Sequence, residues 1–133
     1  MHTDDGTITW SGQLTADCPT VFDKLHLSDY DVPLGWRDLV KKLSEDLEKL
    51  NGGREFPLYA AQVKEKFGGL RFYVYSSSNE QDLIIQEAEA ESYKICEDCG
   101  APGVPRSLSW MRTLCDEHYE ERGGDKEAEE NED

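Results

Sequence analysis

The chain has 133 residues, of which 14 are basic and 29 acidic, so its formal net charge is −15. That length is enough for one compact domain, and the negative charge disfavours direct binding to duplex nucleic acid. No apolar run approaches the roughly 20 residues that span a bilayer, and the first residues lack the basic and apolar regions of a secretion signal. We therefore expect a cytoplasmic protein with no membrane segment.

The sequence predicts three regions. Residues 1–20 are polar and are expected to form an N-terminal arm, residues 21–120 to form a single α+β domain, and residues 121–133 to form an acidic disordered tail. From Asp116 onward the chain carries ten acidic residues, with only Arg122 and Lys126 as bases. More than half of the net charge therefore lies at this end.

The first predicted element is a short helix or turn after residue 21, followed by a loop that Pro33 and Gly35 enforce. A helix follows, because apolar residues recur at the i, i+3, i+4, i+7 spacing and charged residues fill the opposite face. The helix is expected to end at Asn51 and Gly52, which suit a left-handed cap. Its apolar positions are Trp36, Leu39, Val40, Leu43, Leu47 and Leu50.

Two alternating runs in residues 59–75 predict a β-hairpin. Gly68 and Gly69 separate the runs and suit a two-residue type I′ turn. With that turn Phe67 faces Leu70, and the next partners along the hairpin are Glu65 with Phe72 and Val63 with Val74. One face is then apolar except for Glu65, which we expect to reach the sheet edge or to pair with a base; a functional carboxylate is the alternative.

The second face of the hairpin combines basic and aromatic side chains. It is either an exposed face that balances a nearby acidic helix, or a contact site for phosphate, nucleic acid or an acidic partner, because cations beside stacking rings suit all three. Its residues are Gln62, Lys64, Lys66, Arg71, Tyr73 and Tyr75.

A second helix is predicted after the hairpin. Ser78 or Asn79 suits its N-cap, and Glu80 and Asp82 lie in the first turn, where the helix dipole favours anions. Its apolar stripe is narrow and the helix leads directly into a cysteine pair. The stripe consists of Ile84, Ile85, Ala88 and Ser92.

Two ligand pairs at metal spacing then follow, Cys96 with Cys99 and Cys115 with His118, each with two intervening residues. The pattern, within residues 95–119, predicts a zinc knuckle that binds one structural Zn²⁺, since a Cys₃His set suits zinc better than iron. Four ligands close the tetrahedron, which disfavours a catalytic site. The chain also lacks the H-x-E and P-C-x-x-C motifs of zinc deaminases.

Other chemistry-bearing residues are assigned weaker roles. Arg106 and Arg112 lie between the two ligand pairs, and they either contact an anion on a partner or balance nearby acids. Trp110 either packs the zinc loop onto the hairpin, which we favour, or is an exposed interface anchor. Cys18 has no nearby counterpart and is assigned a packing or surface role.

Four motifs follow one another along the chain: GWRDLVKKL at 35–43, VKEKFGGLRFYV at 63–74, CEDCGAPG at 96–103 and RTLCDEH at 112–118. Together they resemble a family of small, largely uncharacterised phage and bacterial proteins. The resemblance covers about residues 20–120 and implies a glycine-tryptophan helix, a lysine-rich hairpin and a terminal zinc knuckle. The resemblance indicates related proteins but no particular activity.

Taken together, the sequence predicts a helix packed on a β-hairpin or small antiparallel sheet, and a second helix that leads into the zinc knuckle. The favoured function is that of a non-enzymatic acidic protein that binds and inhibits another protein, such as a nuclease, a toxin or a defence effector. The alternative is a zinc-ribbon regulatory protein associated with nucleic acid through the basic and aromatic face. A small metal-dependent hydrolase is the least favoured hypothesis, because no open metal position or poised base is evident.

Overall fold

The computed structural model describes residues 14–123 and has the predicted α+β architecture. Two helices pack on one face of a small mixed sheet, and a second, two-stranded sheet lies in the C-terminal part of the chain. The elements in chain order are a 3₁₀ turn Leu27–Asp29, strand β1 Tyr30–Asp31, a 3₁₀ turn Leu34–Trp36, helix α1 Arg37–Leu50, strands β2 Tyr59–Lys66 and β3 Gly69–Tyr75, helix α2 Asn79–Ser92, strands β4 Val104–Ser107 and β5 Met111–Leu114, and helix α3 Asp116–Glu121.

The larger sheet has the order β1-β2-β3, and the smaller one pairs β4 with β5. Strand β1 is parallel to β2 through Tyr30 and Val63, and it was not predicted because it is only two residues long. The main core lies between the larger sheet and the two long helices, where Val40, Leu47 and Phe72 are among the buried residues. The smaller sheet is outside this core.

Helix α1 confirms the predicted periodicity, since Val40, Leu43 and Leu47 are buried on one face. The predicted left-handed cap at Asn51 and Gly52 is wrong. Asn51 keeps right-handed helical angles, and the left-handed residue is Gly53, with a φ of 78°. The Asn51 side chain instead pairs with both backbone polar groups of Leu58, at 2.8 and 2.9 Å, and so ties the helix end to the start of β2.

The hairpin forms, but its predicted register is wrong. Lys66 pairs with Gly69, so the turn residues are Phe67 and Gly68, with φ values of 56° and 84°. Glu65 then faces Leu70 rather than Phe72, and Val63 faces Phe72 rather than Val74. Because each partner changes by two positions, every strand residue keeps its predicted face.

Glu65 closes the turn of this hairpin. Its carboxylate accepts a hydrogen bond of 2.8 Å from the backbone N–H of Gly68, and it makes no ion pair with a base among residues 14–123. The outer edge of β3 is also covered: the N–H of Leu70 donates to Ser92 Oγ and that of Phe72 to Glu89 Oε2. Helix α2 therefore satisfies the polar edge of the sheet with its own side chains.

The ends of the chain are only partly described. Leu14 and Cys18 lie within the segment predicted as an arm, and both are buried against the core. Residues 1–13 and 124–133 lie outside the described residues, so the division into arm, domain and tail stays a prediction. Within the described residues, no helix is both long and apolar enough to cross a membrane.

Candidate metal centre

The two predicted ligand pairs come together in the C-terminal part of the chain. Cys96 and Cys99 lie on the turn that follows α2, and the hydrogen bond from Gly100 N to Cys96 O, at 2.9 Å, closes this turn. Cys115 is the N-cap of α3, and His118 lies in that helix. The hairpin of β4 and β5 returns the chain from the first pair to the second.

The spacing of the four ligand atoms fits one tetrahedral ion. All four lie within 4.8 Å of one another, and the Nδ1 atom of the His118 ring faces the sulfurs. Cys99 Sγ and Cys115 Sγ are 3.8 Å apart, and His118 Nδ1 is 3.7 Å from Cys96 Sγ and 3.2 Å from Cys115 Sγ. A tetrahedral zinc ion requires about 3.8 Å between sulfurs and about 3.6 Å between sulfur and nitrogen. The residues therefore fit a closed metal site.

The protein also favours the ligating form of Cys115. Hydrogen bonds from the backbone N–H and the ring of His118 lower the pKa of this thiol to about 7. The thiolate, which is the form that binds metal ions, is then accessible near neutral pH.

The glycine-tryptophan motif before α1 anchors the first ligand pair. The N–H of Gly35 donates to the carbonyl of Glu97 at 2.7 Å, and the indole Nε1–H of Trp36 donates to the carbonyl of Ile95 at 2.9 Å. A Cβ at Gly35 would collide with the backbone of Cys96 and Glu97. Only glycine permits this approach, and the cysteine turn is thereby fixed to the main domain.

Glu97 connects the turn of the first ligand pair to strand β5, which leads to the second ligand pair. Its side chain is buried, its carboxylate accepts from Thr113 N at 2.7 Å, and its own N–H donates to Thr113 O at 2.9 Å. Arg112 Nη1 lies 3.4 Å from the same carboxylate. Burial raises the pKa of Glu97 to about 7, because a charged carboxylate loses its hydration there.

The candidate metal-binding segment, residues 95–123, also reaches the tip of the β2–β3 hairpin. Thr113 Oγ1 donates to the carbonyl of Gly68 at 2.7 Å, and the rings of Phe67 and Trp110 stack with centroids 6.1 Å apart. Phe67 is 53% exposed and Trp110 54%, so both rings remain accessible beside Met111. We call Phe67, Trp110 and Met111 the tip surface.

Phe67 occupies a backbone conformation that its side chain disfavours. Its φ of 56° is in the left-handed region, where a bulky residue costs of order 1 kcal/mol relative to glycine or asparagine. A type I′ turn normally has Asn or Gly at this position. The hairpin thus holds an exposed aromatic ring at a strained turn.

The predicted contact residues do not form one surface. Lys64, Arg71, Tyr73 and Tyr75 share the outer face of the β2–β3 hairpin, and Arg71 contacts the Tyr93 hydroxyl at 3.2 Å. Lys66 lies over the Phe67 ring, beside the tip surface. Arg106 is held internally, because its guanidinium pairs with Asp116 at 2.7 Å and lies over the Tyr119 ring.

Sequence reasoning did not identify Gly35, Phe67 or Glu97 as site residues. Gly35 was predicted only as part of a loop, Phe67 as a strand residue, and Glu97 was given no role between the two cysteines. Their roles depend on contacts between segments far apart in the chain, which periodicity and ligand spacing do not report.

Comparison with protein-family models, curated proteins and solved structures found no match.

Proposed function

We propose that this protein is a non-enzymatic zinc protein that binds and inhibits another protein. In this proposal the zinc ion has a structural role. The closed set of three cysteines and one histidine supports zinc, since soft thiolates with one imidazole suit that ion. A bound zinc ion would supply folding free energy and leave no open position for a substrate.

The tip surface is the observation that carries the proposal. Turn residues that strain the backbone are retained where function requires them, and Phe67 is an exposed ring in such a turn. Trp110 and Met111 extend the apolar area, and aromatic residues with methionine are enriched at protein interfaces. The hydrogen bond from Thr113 to Gly68 joins the metal-binding segment to the hairpin turn that carries Phe67.

The overall charge supports a basic partner. A net charge of −15 suits the nucleic-acid-binding face of a nuclease, toxin or defence effector and accelerates encounter with it. A toxin-immunity or anti-defence role in the cytoplasm is consistent with this chemistry. The sequence motifs support the further proposal that the chain is a relative of the small phage and bacterial zinc-knuckle proteins.

The test is capture of proteins from a bacterial extract on the tagged, zinc-loaded chain, with and without nuclease treatment. We expect one nuclease-resistant protein at near-equal amounts. Phe67→Asn should abolish its recovery but leave the thermal stability equal or higher, because Asn-Gly is the preferred pair for this turn.

Phe56→Asn is the matched control. Phe56 is 70% exposed in the loop between α1 and β2, away from the tip surface, so the same substitution there should leave recovery unchanged. Equal losses in both variants would show that the tip surface is not the binding site. Material that disappears after nuclease treatment would contradict binding to a protein.

The outer face of the hairpin favours a second candidate, a regulatory protein that binds single-stranded nucleic acid. Lys64 and Arg71 lie opposite each other on this face beside the exposed Tyr73 and Tyr75. Such binding would weaken steeply with salt and would be lost in a Lys64→Gln, Arg71→Gln double variant. Fluorescence anisotropy with a labelled single-stranded oligonucleotide measures both effects.

A further inference from the structure

A groove runs between the two long helices α1 and α2. It has a volume of about 300 Å³ and is lined along its floor by Leu39 and Leu43 of α1 and by Ile84 and Ala88 of α2. Lys42, Asp46, Glu87 and Glu91 form its rim. The groove thus combines an apolar floor with a charged border, which is the usual composition of a site for an amphipathic helix.

Helix α2 is apolar on more than its core-facing side. Ile85 and Ala88 are buried in the main core, and Ile84 is half-buried and packs against that core. Ile84 also lines the groove, so the apolar surface of α2 continues from the core into the groove.

The charge of the rim selects the partner. Helix α2 carries five acidic residues and no basic one. Among the four charged residues of the rim, Lys42 is the one base, and it pairs with Asp46 at 3.1 Å. Glu91 has an exposed ion pair of 4.0 Å with Lys94, which lies outside the rim. One base against three acids leaves the rim with an excess of negative charge along the apolar floor.

We propose that this groove binds a basic amphipathic helix of a partner protein. The partner's apolar residues, spaced at i, i+3, i+4 and i+7, would lie on Leu39, Leu43 and Ile84, while its lysines or arginines would face Glu87 and Glu91. This rests on the proposed function and names the chemistry of the bound segment, at a surface separate from the tip surface.

The probe is a capped synthetic peptide of about 16 residues, or four helical turns, with leucines at that spacing and lysines elsewhere. Titration into the ¹⁵N-labelled, zinc-loaded full chain should shift the amide signals of Leu39, Leu43, Ile84 and Ala88. A scrambled peptide of the same composition presents no apolar face and should shift them at least about tenfold less at equal concentration.

Two pairs of variants separate the apolar and the electrostatic contributions. Ile84→Ser should weaken binding about tenfold, whereas Leu83→Ser, on the neighbouring but non-lining residue, should not. Glu87→Lys with Glu91→Lys should weaken it by a similar factor. Glu55→Lys with Glu120→Lys makes the same change in net charge at exposed positions outside the groove and should leave the affinity within about twofold. Unchanged positions of the remaining amide signals confirm folding of each variant.

Several outcomes would overturn the proposal. These are equal binding of the scrambled peptide, equal weakening by both charge variants, or no shift at the groove up to about 1 mM peptide. Residues 1–13 include one tryptophan, Trp10. Groove signals that respond instead to Trp10→Ala would assign the groove to this N-terminal segment of the chain. Self-association that Ile84→Ser abolishes would assign it to a second copy. A failed peptide titration with intact capture at the tip surface would reject the groove alone, because Phe67→Asn tests the proposed function separately.

Discussion

Glu97 is a buried carboxylate that joins the two halves of the metal-binding segment. Glu97→Ala removes the acceptor for Thr113 N and leaves that donor buried without a partner, which costs about 2 kcal/mol or more. Glu97→Gln keeps a carbonyl oxygen in place and is expected to cost less than about 1 kcal/mol. Urea denaturation of the zinc-loaded variants measures both. Equal losses of unfolding free energy in the Ala and Gln variants would indicate that the hydrogen bond to Thr113 contributes little to stability.

Cys18 is the one cysteine outside the ligand set among the described residues, and it is fully buried. Burial first, and then the carboxylates of Glu48 and Glu45, raise the pKa of its thiol from 9.0 to about 11. At pH 8 this lowers the reactive thiolate fraction about a hundredfold relative to an exposed cysteine.

Alkylation of Cys18 in the native, zinc-loaded protein should therefore be at least about a hundredfold slower than after unfolding in urea. Its rate should rise about tenfold per pH unit up to pH 10, since the thiolate forms only as the pH approaches the raised pKa. Peptide mapping by mass spectrometry locates the label. Alkylation at the rate of a short cysteine peptide would contradict the buried, neutral thiol.

The cysteine turn and helix α1 meet at Gly35, where the structure has no space for a side chain. Gly35→Ala forces the backbone of Cys96 and Glu97 away from the start of α1, so we expect a loss of about 3 kcal/mol or more in unfolding free energy. Gly52→Ala is the matched control, because its Cβ would only approach Lys49 O, at 3.2 Å. Thermal denaturation of both variants tests the contact, and similar melting temperatures would contradict it.

The β2–β3 hairpin shows the limit of prediction from local sequence. Alternation correctly predicts its two strands and their faces, and the glycine pair correctly locates the reversal. Two neighbouring turns, at Phe67-Gly68 and at Gly68-Gly69, are compatible with those glycines. The chain forms the first, in which Gly69 is a strand residue with the Tyr93 ring directly against its backbone. That packing comes from the end of α2, and no feature of the hairpin sequence indicates it.

At the scale of the whole molecule, the predictable parts are those with strong short-range signals. Helix α1 follows from its periodicity, and the four candidate ligands follow from their spacing. The position of the metal-binding segment on the domain does not follow from either. It depends on Gly35, Trp36 and Thr113, whose partners lie between about 16 and 62 residues away in the chain.

Removal of the metal tests how far the C-terminal segment and the main core fold independently. The buried members of the core all lie between Leu14 and Ala88, and among the described hydrophobic residues of the later segment Ile95 packs against them. A structural zinc ion supplies about 10 kcal/mol or more of apparent folding free energy to small metal modules. Chelation at neutral pH, or Cys96→Ser, should therefore abolish hydrogen-exchange protection in residues 95–123 but preserve it in α1, β2 and β3. Elemental analysis should give one zinc per chain beforehand. Loss of protection throughout the chain would show instead that the metal-binding segment and the core form one cooperative unit.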